Sequence, residues 1–103
     1  MSYNSVFKPD LFAGQTIMVT GGGSGIGRCL AHELVSLGAN VVILGRNAEK
    51  LETVAAEIRD DGGDVACMTC DIRDEENVGA VIDATLEKFG RIDGLVNNAG
   101  GQY

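Results

Sequence analysis

The chain has 103 residues, a length that fits one domain spanning 1–103, and a formal net charge of −7. With a pI near 4.4 it repels phosphate backbones and anionic lipid, which argues against a non-specific nucleic-acid or membrane-surface binder. The 45% of hydrophobic residues is too many for disorder, and 15 glycines against one proline, with no collagen period, require a local explanation.

Residues 1–10 are polar and lack the apolar core of a secretory signal. Apolar runs such as 41–44 are far short of the ~20 residues that span a bilayer. Three cysteines, Cys29, Cys67 and Cys70, with no secretion signal, predict free thiols in a reducing, cytoplasmic setting. Cys67 and Cys70 form a C-x-x-C, but they sit in a strand-like stretch without a second ligand pair. They read as small strand residues, not as a zinc or redox site.

Four short apolar strings predict strands at 17–19, 41–44, 65–69 and 95–96. Ile17, Val41 and Val65 are each 24 residues apart, the length of a strand, a helix and two short loops. The segments between them carry helical periodicity. Ile26, Leu30, Leu34 and Leu37 form one stripe. Leu51, Val54, Ala55 and Ile58 form a second, and Val78, Val81, Ile82, Thr85, Leu86 and Phe89 a third. Asp74 is placed to cap the third helix, whose first turn carries Glu75 and Glu76. Gly38, Gly62-Gly63 and Gly90 supply the C-terminal stops. The order β-α-β-α-β-α-β predicts an α/β fold: a parallel sheet with helices on both faces, the first half of a Rossmann-type doubly wound architecture, cut after its fourth strand.

The glycines concentrate in Thr20-Gly-Gly-Gly-Ser-Gly-Ile-Gly27, after the first strand and at the start of the first helix. In that context glycine allows a tight turn and close approach of a pyrophosphate, and the helix N–H groups point at the anion. A P-loop is a poor match, because Arg28 and Cys29 stand where Lys and Ser/Thr are needed. The G-x-G-x-x-G dinucleotide fingerprint is not met either; the spacing is G-x-x-x-G-x-G at Gly21, Gly25 and Gly27. Gly21, Gly23 and Gly25 also satisfy the G-x-G-x-G of an S-adenosylmethionine-dependent methyltransferase. That site wants a ribose-binding carboxylate at the end of strand two, where Gly45-Arg46 stands instead. An NAD site wants the same acid. Its replacement by glycine and a guanidinium suits a 2′-phosphate, so Arg46 predicts NADP in preference to NAD.

Thr20-Gly-x-x-x-Gly-Ile-Gly27 together with Asn97-Asn-Ala-Gly100, about 75 residues later, resembles the short-chain dehydrogenase/reductase family over nearly the whole chain. The resemblance implies that Gly21, Ser24, Ile26 and Gly27, with Gly25 of the same loop, line the pyrophosphate. It implies that Asp71 contacts adenine with Ile72 beside it, and that Asn98, Ala99 and Gly100 flank the cofactor ribose while Asn97 braces the fourth strand. Asp71 also reads, on its own, as a turn or helix-capping aspartate. Asn97-Asn-Ala-Gly-Gly-Gln-Tyr103 is further similar to the branch that contains peroxisomal trans-2-enoyl-CoA reductase and citronellol dehydrogenase-like proteins, with a departure at Ala99, where the former tends to have glycine.

Members of the family move a hydride between a nicotinamide and a carbonyl, alcohol or activated alkene, using a downstream serine and a Tyr-x-x-x-Lys pair. No such pair is present here: Phe7 stands four residues after Tyr3, and Tyr103 is terminal. No catalytic residue and no metal ligand is therefore assigned, and His32 reads as a surface residue of the first helix. The chain is expected to be the N-terminal part of a longer, homo-oligomeric enzyme with a small-molecule substrate and no nucleic-acid or membrane partner. Alone it is expected to be inactive and, with an open strand edge, prone to aggregate. A non-catalytic dinucleotide-binding module or regulator is the rival reading.

Overall fold

The computed structural model describes residues 11–21, 25–71 and 73–97. Its elements run β1 (Thr16–Thr20), α1 (Gly25–Ser36), β2 (Asn40–Gly45), α2 (Ala48–Asp60), β3 (Ala66–Thr69), α3 (Glu75–Phe89) and β4 (Gly94–Asn97). The four strands form one parallel sheet in the order β3-β2-β1-β4.

Alternating residues of the central strands supply two cores. Ile17 and Val19 of β1 and Val41 and Ile43 of β2 face α1 and α2, where Ala31, Leu34, Leu51, Val54, Ala55 and Ile58 close over them. Met18, Val42 and Leu44 face the other way and meet Val81 of α3, with Val78 and Phe89 at the margin. All five residues of β1 are buried because both faces of the sheet are covered. Each fully buried Val, Ile or Leu contributes roughly 1.5–3 kcal/mol of transfer free energy, so β1 and β2 anchor everything built at their ends.

The helices start and stop for local reasons. Asn47, extended at φ −106°, accepts the Lys50 N–H at 3.1 Å and caps α2. Asp74 caps α3 as expected, accepting from the Glu76 and Asn77 N–H groups at 3.0 and 3.3 Å. Gly38, Gly62 and Gly90 follow the three helices with φ of 91°, 90° and 79°.

Two helix faces differ from the sequence expectation. On α1 the buried face is Gly27, Ala31 and Leu34, whereas Ile26 is 75% exposed. Leu34 and Leu37 are buried and Leu30 packs at the margin as the stripe predicts, so the departure is Ile26 at the helix start, with Gly27 and Ala31 facing the sheet in its place. On α3, Val81 and Thr85 are buried but Ile82 and Leu86 are exposed; four strands do not cover the whole apolar face.

The ends of α1 and α2 meet at Gly63. A methyl group built there would overlap Cγ1 of Val35 and lie 3.2 Å from Cγ2 of Ile58. Both neighbours are β-branched and stiff at χ1. Gly63→Ala is expected to destabilise the protein by about 1–3 kcal/mol, the usual cost of overpacking. A urea-denaturation midpoint equal to that of the unmodified protein would contradict this packing.

Candidate functional site

Parallel strands end at a common edge, and register decides which residues share it. Thr20 pairs with Leu44 on one side and Asn97 on the other, and Gly45 pairs with Thr69. The residues just past these ends, Gly21, Arg46 and Asp71, are therefore delivered to the same edge of the sheet. The strand order reverses direction at β1, the position where open α/β sheets leave a crevice beyond their carboxyl ends.

Gly21 leaves β1 at this edge and Gly25 begins α1. The Gly21 N–H donates to Leu44 O at 2.8 Å, holding the exit of β1 against β2. The Thr20 hydroxyl donates to Val96 O at 3.3 Å, holding it against β4. Gly21 and Gly25 adopt φ of 69° and 59°, conformations that only glycine takes up at low cost. Gly25 and Ile26 are exposed at the N-terminus of α1, and Gly27 is buried where the helix meets the sheet. The twelve-residue α1 begins at Gly25, so the positive end of its dipole lies on the side where β1 ends.

The ends of β2 and β3 carry the charges. Gly45 has room for a side chain: a methyl group built there would lie 3.5 Å from Cδ2 of Leu51, an ordinary contact. Packing therefore does not require glycine at this position. Arg46 follows it and is exposed. Asp71 stands beyond β3, where its Oδ1 accepts from the Arg73 N–H at 3.0 Å and from Arg73 Nε at 3.1 Å, and its Oδ2 from Nη2 at 3.1 Å. The Arg73 guanidinium, then the Arg73 backbone N–H, with a smaller contribution from the Arg46 charge, hold this carboxyl at a pKa of about 2. Asp71 thus shapes its own turn, as the sequence alone suggests. Its N–H donates to Asn77 Oδ1 at 2.7 Å, which ties the turn to α3.

Of the sequence-derived site residues, Gly21, Gly25, Ile26, Gly27, Arg46 and Asp71 lie on this one edge. Ser24, Ile72, Asn98, Ala99 and Gly100 lie outside the described residues. Asn97 pairs with Thr20 through its backbone. Sequence reasoning does not find Arg73, Asn77 or Asp93. The two-residue spacing of Asp71 and Arg73, and of Arg91 and Asp93, is the available signal.

Asp93 fixes the opposite end of the β1–β4 pair. Its Oδ2 accepts the Thr16 N–H at 2.7 Å, its own N–H donates to Thr16 O at 2.8 Å, and Arg91 Nε donates to its carboxylate at 2.8 Å. Arg91 first, and the Thr16 N–H second, hold this carboxyl below its usual value of 3.8. A depressed folded-state pKa stabilises the fold above the unfolded value and loses that contribution as pH falls through the folded one. Asp93→Asn is therefore expected to lower the urea midpoint at neutral pH and to converge on the unmodified protein as acid protonates the carboxyl. A gap that does not change with pH would contradict the assignment.

His32 is not a surface residue. Its side chain is 15% exposed between α1 and α2, with Nε2 3.1 Å from Glu57 Oε1 and Nδ1 3.8 Å from Asp61 Oδ2. Arg28 Nε also donates to Glu57 Oε1 at 2.8 Å. These contacts clamp the first helix, not a reaction centre. Cys67 of β3 packs against the core under α1 and α2, whereas Cys70, just past β3, is buried in the core under α3 on the other face of the sheet. All three cysteines are free. Among the described residues no cluster of three or more His, Cys, Asp or Glu could hold a metal ion.

The family model for short chain dehydrogenase matches residues 15–103. The chain belongs to the short-chain dehydrogenase family. A solved citronellol catabolism dehydrogenase from Pseudomonas aeruginosa is 60% identical, with a TM-score of 0.92 over 97% of this chain and 42% of that one. A metagenomic short-chain oxidoreductase solved in complex with NADP is 43% identical, with a TM-score of 0.82 over 85% of this chain and 40% of that one. Peroxisomal 2,4-dienoyl-CoA reductase of Danio rerio is 40% identical over 103 residues, covering 98% of this chain and 34% of the relative. The chain thus spans about a third of the length of that curated relative. Among the described residues no helix is long and apolar enough to cross a membrane.

Proposed function

We propose that this short-chain dehydrogenase chain is the N-terminal cofactor-binding part, 1–103, of an NADP(H)-preferring oxidoreductase. The observation that carries the reading is the end of β2. Gly45 stands where an NAD site places its acid, although a side chain would fit there, and Arg46 follows on the edge shared with the glycine turn. In this reading Gly21, Ser24, Gly25, Ile26 and Gly27 receive the pyrophosphate and Arg46 the 2′-phosphate. Asp71 and Ile72 bound the adenine, and Asn98, Ala99 and Gly100 the ribose. The bound cofactor would donate or accept the hydride; the described residues bind and orient its adenosine half and hold no acid or base for the reaction.

The substrate is a small carbonyl, alcohol or enoyl compound. The similarity to a citronellol dehydrogenase and to a 2,4-dienoyl-CoA reductase supports that range. We place the intact protein in the cytoplasm, as a homo-oligomer without nucleic-acid or membrane partners; the free thiols and the acidic charge support this. The test is to follow reduced-nicotinamide absorbance with the intact protein, citronellol plus NADP+ in one assay and a 2,4-dienoyl-CoA plus NADPH in another. Turnover in either supports the reading. Tight NADP(H) binding with no turnover on any carbonyl, alcohol or enoyl substrate would instead favour a dinucleotide-binding regulator on the same fold.

A further inference from the structure

We propose that Arg73 is a positioning residue for the adenine end of the cofactor, acting through Asp71. The inference rests on the proposed dinucleotide reading. Two nitrogens of the Arg73 guanidinium engage one carboxylate side-on, Nε on Oδ1 and Nη2 on Oδ2, each at 3.1 Å. A planar guanidinium that meets a carboxylate along two parallel bonds fixes the plane of that carboxylate as well as its charge. The Arg73 N–H adds a third donor to Oδ1 at 3.0 Å, and Asn77 Oδ1 holds the Asp71 N–H at 2.7 Å. Backbone and side chain of Asp71 are thereby held from two directions.

The arrangement is asymmetric. Oδ1 takes two donors from Arg73 and Oδ2 takes one. A carboxylate oxygen accepts about two hydrogen bonds, so Oδ2 keeps an acceptor position for a ligand N–H. The exocyclic amine of adenine has that chemistry. The Asp71 side chain is 35% exposed and Arg73 73% exposed, so the pair stands at the surface of the crevice, where a ligand reaches it. The charged groups acting on the carboxylate are Arg73 on its own turn and Arg46 at the end of β2. Asp74, next along the chain, is turned toward the N–H groups of α3 that it caps.

Acting through Asp71, Arg73 serves the adenine end that both cofactors share, so its removal weakens NADP+ and NAD+ alike. The experiment is equilibrium binding of both dinucleotides to the intact protein and to Arg73→Gln, Asp71→Asn and the double variant, at neutral pH and through the acid range. Arg73→Gln is expected to raise the Kd for NADP+ and NAD+ by a common factor of about 5–10, less than the outright loss of a hydrogen bond to a charged group, because the Asp71 carboxylate remains but is no longer held in place. The double variant is expected to bind no worse than Asp71→Asn, because both changes act on one contact. In Arg73→Gln the acid limb of NAD+ binding moves to higher pH relative to the unmodified protein. A role in folding alone would not produce that movement, and comparison between variants cancels the titration of the ligand. A selective loss of NADP+ would make Arg73 a phosphate contact and overturn the proposal. Unchanged affinities and an unchanged acid limb would also overturn it. If the unmodified protein binds neither dinucleotide, the functional reading fails first, a result distinct from either of these.

Discussion

Arg46→Ala is expected to raise the Kd for NADPH about 10- to 100-fold and to move that for NADH by less than about threefold, because a guanidinium–phosphate hydrogen bond contributes about 1.5–3 kcal/mol and each 1.4 kcal/mol is tenfold. Arg46 is exposed and no described hydrogen bond ties it to the fold, so its removal should leave stability nearly untouched. The reverse change is also open. Asp placed at position 45 begins with a Cβ in ordinary contact with Leu51, 3.5 Å from Cδ2. Its carboxylate would repel a 2′-phosphate and accept from a ribose 2′-OH. Gly45→Asp should thus weaken NADPH about 100-fold and strengthen NADH up to about tenfold. Titration of both variants with both dinucleotides checks the pair. Equal losses for the two cofactors would mean that Arg46 does not recognise the phosphate.

At Gly25 strain and space can be separated. Its φ is 59°, and among the described residues no atom lies within 4 Å of a methyl group built on it. The protein itself therefore demands glycine only for the backbone conformation, at about 1–2 kcal/mol for most other residues and less for Asn. The open volume above it is needed only if something else comes there. Gly25→Val should lose stability and dinucleotide affinity together. Gly25→Asn should retain most of the stability yet bind the cofactor at least about tenfold more weakly, because its side chain occupies the space a pyrophosphate would use and displaces a hydrogen bond to a charged group. Undiminished dinucleotide binding by Gly25→Asn would show that the phosphates lie elsewhere.

Much of this is legible in the residues. The stripe of Leu51, Val54, Ala55 and Ile58 is buried as its spacing demands, because α2 crosses the sheet at the distance that large side chains fill. On the first helix Leu34 and Leu37 are buried and Leu30 packs at the margin as the stripe demands, but Ile26 is turned out, and Gly27 and Ala31 join Leu34 against the sheet. Hydrophobicity scales weight Ile26 above both, but close approach favours the smallest residue. The edge grouping of Gly21, Arg46 and Asp71 follows from alternation alone, since parallel strands end together. Tertiary pairs are not legible: the Thr16–Asp93 exchange joins residues 77 apart. His32 reads as exposed because its partners Glu57 and Asp61 lie beyond its own helix. The side-chain room at Gly45, on which the cofactor reading leans, is a property of Leu51 across the loop and appears only in three dimensions.

If the common edge of β1, β2 and β3 binds a nicotinamide dinucleotide through its 2′-phosphate, calorimetry will show it without any variant. The titration is of the intact, unmodified protein with NADP+, NAD+ and S-adenosylmethionine in turn. Saturable binding of NADP+ is expected, at least about tenfold tighter than NAD+, with none of S-adenosylmethionine. Tighter binding of NAD+, or binding of S-adenosylmethionine alone, would contradict that assignment.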